Sequence, residues 1–355
     1  MEIKVIQSGQ LKEKPSDESA LGFGQIFTDH MFLVDYDDKK GWHNARIEPY
    51  HPLEIDPAAV VLHYGQEIFE GLKAYRGKDD SINLFRPIDN CRRMNRSAQR
   101  LCMPEIEEGI VLEAIKKLIT LDREWVPKTE GTSLYIRPTM IATEAFLGVR
   151  PATKCLYYII IGPVGSYYKE GLNPVKIFVE NKYVRAVIGG IGEAKTGGNY
   201  AASLLATEEA KKKGFTQVLW LDGCEKKWVE EVGTMNMFFV IDDVALTSPL
   251  TGSILGGITR DSVVRILKDW GVKVKEELVS IDEVVSAAES GRLKEAFGTG
   301  TAAVISPVGQ ITYKDKDYSI AAGKMGELSQ RLYDEITGIQ YGEKPDTYGW
   351  VEKVC

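Results

Sequence analysis

The chain has 355 residues, 44% hydrophobic and 27% charged, a balance that supports a sizeable buried core and excludes a disordered or fibrous chain. Lys plus Arg number 44 against 51 for Asp plus Glu, a formal net charge of −7, so nothing electrostatic points to nucleic acid or an anionic membrane as partner. Small molecules remain as the ligand class, and at roughly 150 residues per domain the length predicts two domains.

Met1 to Glu18 alternates charged and apolar residues and has neither a basic stretch nor an apolar run, so no export signal is expected. Phe27 to Asp38 predicts a strand ending at an acidic turn, and Ser81 to Pro87 a second one. After Pro87 the apolar residues Ile88, Cys91, Met94, Ala98 and Leu101 recur at helical spacing, with Arg93 beside the stripe and Arg96 and Arg100 on the wet side. Gly109 to Val126 predicts another helix. SLYIRPTMIAT and CLYYIIIGPVG predict strands rich in β-branched and aromatic residues. The apolar run Leu156 to Ile161 stops at Gly162-Pro163, far short of the roughly 20 residues that cross a bilayer.

Gly and Pro punctuate Gly162 to Pro174, which places a linker at residues 164–175 between an α/β domain (1–163) and a second one (176–355). The second half predicts a strand at Val175 to Val179, a helix from Asn199 to Lys213, and a hairpin turn at Asp222-Gly223. WVEEVGTMNMFFVID then reads as a strand. A helix opens at Gly256-Gly257-Ile258-Thr259, Ser280 to Glu283 forms a capping box, and EAFGTGTAAVISPVG closes a sheet. Cys91, Cys102, Cys155, Cys224 and Cys355 show no C-x-x-C spacing, which predicts reduced thiols and a cytoplasmic protein. The four histidines show no metal-ligand pairing, so no metal is expected.

The sharpest local signal is GEAKTGGNYAAS, in which Lys195 is surrounded by small residues just before a helix. A partly desolvated lysine attacks an aldehyde, and small neighbours let a flat cofactor approach the main chain. Alone, the motif reads more readily as an exposed loop lysine. On a strand, Glu230 and Glu231 face opposite ways, so one of them can point inward, where a protonated pyridine nitrogen would be a fitting partner; a solvated edge strand is the alternative. The helix start at Gly256 to Thr259 offers main-chain N–H groups to a phosphate, and Gly298 to Ala303 is a similar small-residue turn. Tyr135 and Arg137 share one strand face and together suit a carboxylate, or form a surface ladder.

FGQIFTDHMF, LHYGQEIFEGLKAYRG, LFRPIDNCRRMNRSAQRL, LYIRPT, IGPVGSYY, GEAKTGGNYAAS, QVLWLDG, EEVGTMNMFFV, GGITRDSV and FGTGTAAVISPV occur in that order. In this the chain resembles the branched-chain amino-acid aminotransferases, pyridoxal 5'-phosphate enzymes of fold-type IV, over nearly its whole length. The resemblance implies a mixed α/β, two-domain architecture with the cofactor between the domains. It also implies reversible amino transfer between Leu, Ile or Val and 2-oxoglutarate, through a Lys195 aldimine.

By the same resemblance Glu231 pairs with the pyridine nitrogen and Tyr200 with the ring oxygen. Arg93, the amides of Ile258 and Thr259 and the Thr301 hydroxyl hold the phosphate. Tyr135 with the turn at Thr301 and Ala302 takes the substrate α-carboxylate, and Arg137 takes the side-chain carboxylate of glutamate. Phe23, Phe69, Tyr167, Thr234 and Met235 line the side-chain pocket, with Tyr64 and Val149 reaching in from a second subunit of a homodimer. Mammalian members carry a C-x-x-C where this chain has Ala303 and Ser306, so no thiol switch is expected and a bacterial biosynthetic role is. The rival expectations are a D-amino-acid aminotransferase or aminodeoxychorismate lyase, which share the lysine and glutamate, and a non-catalytic phosphate-ligand-binding protein.

Overall fold

The computed structural model describes residues 1–165 and 173–354. Most of the expected linker, and Tyr167 with it, lies outside the described residues. The chain forms two compact units. The first comprises described residues 1–165 together with 194–197 and 338–354, and the second comprises 173–193 and 198–337.

The first unit contains β1 (Lys4–Val5), β2 (His30–Asp37), β3 (Gly41–Pro49), α1 (Val60–Tyr64), β4 (Glu67–Phe69), β5 (Leu72–Arg76), β6 (Ile82–Phe85), α2 (Pro87–Arg100), α3 (Glu108–Leu121), β7 (Ser133–Ala142) and β8 (Lys154–Val164). Its sheet runs β1-β3-β2-β8-β7-β5-β6, with β4 paired to β7. Strand alternation decides its two faces. Leu134 and Ile136 of β7 and Tyr157, Ile159 and Ile161 of β8 pack in one apolar cluster with Met94 and Ala98 of α2 and Val111, Ile115 and Leu118 of α3. Tyr135 and Arg137 therefore lie on the face opposite the helices. Pro87 sits at the first position of α2, where its missing N–H costs nothing. The strand expected from Phe27 begins only at His30, whose ring bonds the buried Asp122 carboxylate at 2.6 Å and the Ser8 amide at 2.9 Å.

The second unit contains β9 (Val175–Glu180), α4 (Gly197–Lys212), β10 (Gln217–Leu221), β11 (Val229–Val232), β12 (Met235–Ile241), β13 (Val244–Thr247), α5 (Ile258–Asp269), β14 (Val274–Glu276), α6 (Ile281–Glu289), β15 (Leu293–Gly300), β16 (Val304–Tyr313), β17 (Lys316–Ser319) and α7 (Glu327–Gln340), the two helices α4 and α7 straddling its limits. Pairing runs β11-β10-β9-β16-β15-β12, and β12 pairs back with β11, so six strands close into a ring. Closure leaves β11 bonded on both sides. β12 is buried along its whole length, which accounts for the unbroken apolar run MFFVI.

Two expectations need correcting. WVEEVGTMNMFFVID is two strands, split by the turn Gly233-Thr234, which brings Val232 opposite Met235 and Glu231 opposite Asn236. Gly233 takes φ +57°, a conformation that glycine adopts without strain. The hairpin between β10 and β11 is not a two-residue turn at Asp222-Gly223. The Asp222 carboxylate instead accepts the amides of Cys224, Glu225, Lys227 and Trp228 at 2.7–3.0 Å and organises a longer loop. After α7, β18 (Val351–Lys353) returns to the first unit and pairs with β6. Among the described residues no helix is long and apolar enough to cross a membrane.

Candidate active site

Lys195 lies in a turn immediately before α4, and the first unit holds its main chain at every available point. Its amide donates to Ser97 Oγ of α2 at 2.9 Å and its carbonyl accepts the Phe69 amide at 3.0 Å. Next to it, the buried Thr196 hydroxyl donates to the Glu67 carbonyl at 2.7 Å, and the Gly197 amide donates to Glu67 Oε1. A Cβ on Gly197 would stand 2.2 Å from that oxygen, so the glycine is needed for close approach. The half-buried ammonium lies 4.8 Å from the centre of the Phe69 ring. The small residues that marked this motif in sequence thus serve to seat the loop against β4 and α2.

The open face of β7 carries the anion-binding candidates. Arg137 Nη2 donates to Tyr135 Oη at 3.0 Å, and its Cζ stands 4.7 Å over the Phe69 ring and 5.2 Å over that of Tyr135. Phe23 meets Tyr135 edge to face at 4.8 Å. A Cβ on Gly71 would lie 2.1 Å from Tyr135 Oη, so this glycine makes room for the phenol. Phe23, Phe69, Tyr135, Arg137 and Lys195 are therefore brought together. Tyr64 and Val149 are elsewhere on the same unit and exposed, 46% and 88% respectively, with Tyr64 Oη donating to the Leu147 carbonyl at 2.5 Å.

Arg93 is buried on α2 and its guanidinium grips Glu70, Nε to Oε1 at 2.7 Å and Nη2 to Oε2 at 2.8 Å. Asn90, one turn earlier, donates to Glu70 Oε2 at 2.8 Å. Burial pushes the Glu70 carboxyl up, but the charges of Arg93 and Lys195 and its hydrogen bonds outweigh that and hold it below the usual range. The sequence reading missed Glu70, Ser97 and Glu67. Asn90, Arg93 and Ser97 recur at helical spacing beside the apolar stripe of α2, a polar row whose burial was the available signal.

In the second unit, Glu231 sits on β11 and is almost wholly buried. Its Oε1 accepts the Leu255 amide at 2.8 Å and the Asn236 amide group at 3.5 Å. Arg185 Nε lies 3.0 Å from its Oε2, an ionic contact without hydrogen-bond alignment, while Nη2 donates to the carbonyls of Ser253 at 2.7 Å and Gly192 at 3.0 Å. Glu231, Arg185, Tyr200, Ser203 and Thr234 line one small cleft. Arg185 was not singled out from sequence, because nothing in NKYVRA marks its arginine as buried.

Glu230 is buried too, so the alternation that puts the two glutamates on opposite faces does not leave either in water. Its Oε1 accepts the Ser253 hydroxyl, and burial pushes its carboxyl up, opposed by Ser253 and Arg185. Ile258 and Thr259 form the first turn of α5, to which the N-cap Gly257 contributes no side-chain bond. A Cβ on Gly257 would lie 2.0 Å from Asn236 Oδ1. Thr301 and Ala302 are half-buried in the turn between β15 and β16. Met235 does not line the Glu231 cleft. Its side chain is buried where a Cβ on Gly298 or Gly300 would touch it, within the apolar cluster of the ring.

The family model described as amino-transferase class IV matches residues 67–311. The chain is 56% identical over 353 residues to the branched-chain-amino-acid aminotransferase 2 of Bacillus subtilis strain 168, an alignment covering 99% of this chain and 97% of that protein. It is 48% identical over 338 residues to the branched-chain-amino-acid aminotransferase of Mycolicibacterium smegmatis, covering 94% of this chain and 92% of that protein. The crystal structure of the Escherichia coli branched-chain amino acid aminotransferase superposes with a TM-score of 0.77 at 27% identity, covering 92% of this chain and 99% of that one.

Proposed function

The chain belongs to the branched-chain amino-acid aminotransferases of the class IV family and depends on pyridoxal phosphate, and from that premise we propose that Lys195 is its catalytic lysine and 2-oxoglutarate its amino acceptor. Three features of the chain fit the cofactor. A buried carboxylate and a phenol, Glu231 and Tyr200, share one cleft. A Cβ on Gly257 would meet Asn236 Oδ1 at 2.0 Å, so the main chain runs close to that side chain. Ile258 and Thr259 open α5, and N–H groups at a helix start suit a phosphate. Glu231, Tyr200, Arg93, Ile258, Thr259 and Thr301 would hold the group. Arg93 would be aimed at the phosphate by its pair with Glu70.

When bound, pyridoxal phosphate supplies the aldehyde that accepts an amino group and a ring that withdraws charge from the substrate Cα. Glu231 keeps a negative charge at the pyridine nitrogen, and Arg185 holds that carboxylate in place. Lys195 Nζ carries the proton to and from the reacting carbons, its reach set by the bonds from Ser97, Glu67 and Phe69 to its loop. Tyr135, with the Thr301–Ala302 turn, orients the α-carboxylate. Phe23, Phe69 and Thr234 exclude water from an aliphatic side chain, whose burial contributes about 1.5–3 kcal/mol. Arg137 offers a charge partner to the second carboxylate of glutamate, which would otherwise be costly to bury.

The observation that carries this reading is the fourfold tethering of residues 195–197 to β4 and α2, beside the Tyr135–Arg137 pair. We further infer a homodimer in which Tyr64 and Val149 complete a partner's pocket, supported by their exposure beside Leu62 and Leu147. The four described cysteines are unpaired, in keeping with a cytoplasmic, biosynthetic enzyme. The test is a panel of Leu, Ile, Val and other amino acids with 2-oxoglutarate, alongside borohydride treatment and peptide mass analysis. A reduced pyridoxyl adduct on Lys195 is expected, and an adduct on another lysine overturns the assignment.

A further inference from the structure

We propose that Glu67 is a specificity-determining residue: its carboxylate balances the Arg137 guanidinium while an aliphatic side chain is bound, and takes up a proton when the second carboxylate of glutamate or 2-oxoglutarate arrives. The inference rests on the reading of Arg137 as the partner of that carboxylate.

One pocket has to accept an uncharged and an anionic side chain in alternate half-reactions. A guanidinium left uncompensated beside an aliphatic group is costly. Among the described residues no carboxylate comes within ion-pair distance of Arg137, and its buried Nε has no hydrogen-bond partner. The compensating charge stands further off. Glu67 opens β4, two residues before the Phe69 ring on which Arg137 rests, and β4 pairs directly with the strand that carries Arg137. Glu67 is half-buried, and its Oε1 is committed to the Gly197 amide.

The groups that act on this carboxyl are few. Burial pushes it up, against the Gly197 amide of α4 and the positive charge of Arg137 on β7. On β8 the Tyr158 phenol is pushed up by its own burial and senses both Glu67 and Arg137, as well as Tyr50 on the adjoining segment. A second carboxylate entering this neighbourhood makes two anions share one guanidinium, which raises the proton affinity of both. The resident carboxylate is already easier to protonate than an exposed one. The proton comes from solvent and binds the carboxylate oxygen not held by Gly197, so the bond that seats the Lys195 loop is kept. It returns to solvent when the dicarboxylate leaves.

Calorimetry of the holoenzyme with glutarate and 4-methylvalerate, unreactive probes of the two side-chain classes, reads this directly. Titrations in two buffers of different ionisation enthalpy at one pH give the protons bound per ligand. Wild type is expected to take up more proton with glutarate than with 4-methylvalerate. Glu67→Gln keeps an acceptor for Gly197, removes the difference, and tightens glutarate relative to 4-methylvalerate by about tenfold, or ~1.4 kcal/mol. That advantage shrinks as pH falls toward the Glu67 titration, because wild type is then already protonated. Equal proton counts for both ligands in wild type overturn the proposal without recourse to a variant, as does a difference that survives Glu67→Gln. Arg137→Met separates the two readings. If it leaves the glutarate to 4-methylvalerate ratio unchanged, the role of Arg137 itself fails. If it collapses the ratio while Glu67→Gln leaves the proton count untouched, Glu67 alone is wrong.

Discussion

Replacing Arg185 with Met strips the charge partner from Glu231 without opening a large cavity. The two side chains are 8% and 4% exposed, so solvent screens the pair very little. Removing one member of a buried pair leaves the other uncompensated at a cost of ~3–5 kcal/mol. Glu231 Oε1 keeps the Leu255 amide, while the carbonyls of Ser253 and Gly192 lose a donor, so the low end, about 3 kcal/mol, is expected. Urea unfolding at a fixed cofactor concentration measures it, with Glu231→Gln and the double variant completing a cycle. The double variant no longer buries an unpaired charge and should recover roughly 1.5 kcal/mol or more relative to the sum of the singles. A loss below about 1 kcal/mol, or an additive cycle, would refute the ion pair as the organiser of this carboxylate.

Lys195→Ala should abolish transamination while circular dichroism and thermal unfolding show an intact fold, since the loop is held by main-chain bonds; near-wild-type turnover would remove Lys195 from the mechanism. Glu231→Gln should slow single-turnover amino transfer by on the order of 10²-fold, with Glu230→Gln much milder; the reverse order would assign the pyridine partner to Glu230. Glu70→Gln should cost about 3 kcal/mol at neutral pH by breaking the Arg93 pair. The folded Glu70 carboxyl lies below its unfolded value, so its stabilisation is present above the unfolded titration and is lost as pH falls through the folded one. A Tm profile of the variant should therefore fall less steeply on the acid side than that of wild type.

Local periodicity made much of the architecture legible. The stripe from Ile88 to Leu101, the alternation of SLYIRPT and the capping box at Ser280, whose hydroxyl accepts the Glu283 amide at 3.1 Å, all correspond to observed elements. Tyr135 and Arg137 sharing a face followed from strand geometry alone. What periodicity cannot convey is which polar residues are buried against one another across the sheet. Glu70 reads as one acidic residue in FEG, yet it anchors Arg93 and Asn90. Arg185 reads as a surface cation, yet it lies under Glu231. Closing six strands into a ring buries both faces of β11, which is why the alternation of Glu230 and Glu231 did not separate an inner carboxylate from a solvated one.

The return of β18 to β6 bears on how the chain is made. Trp350 packs edge to face on Phe85 at 5.6 Å and under the Arg86 guanidinium at 5.2 Å, and its carbonyl accepts the Arg86 amide at 2.7 Å. On a ribosome, that partner for β6 emerges only after the entire second unit, and the Lys195 segment that docks on β4 also comes late. Until then the nascent first unit presents an unpaired strand edge, INLF, to other chains. Translation pauses late in the message, or changes that weaken Trp350, would therefore act on yield and aggregation well before they touched catalysis.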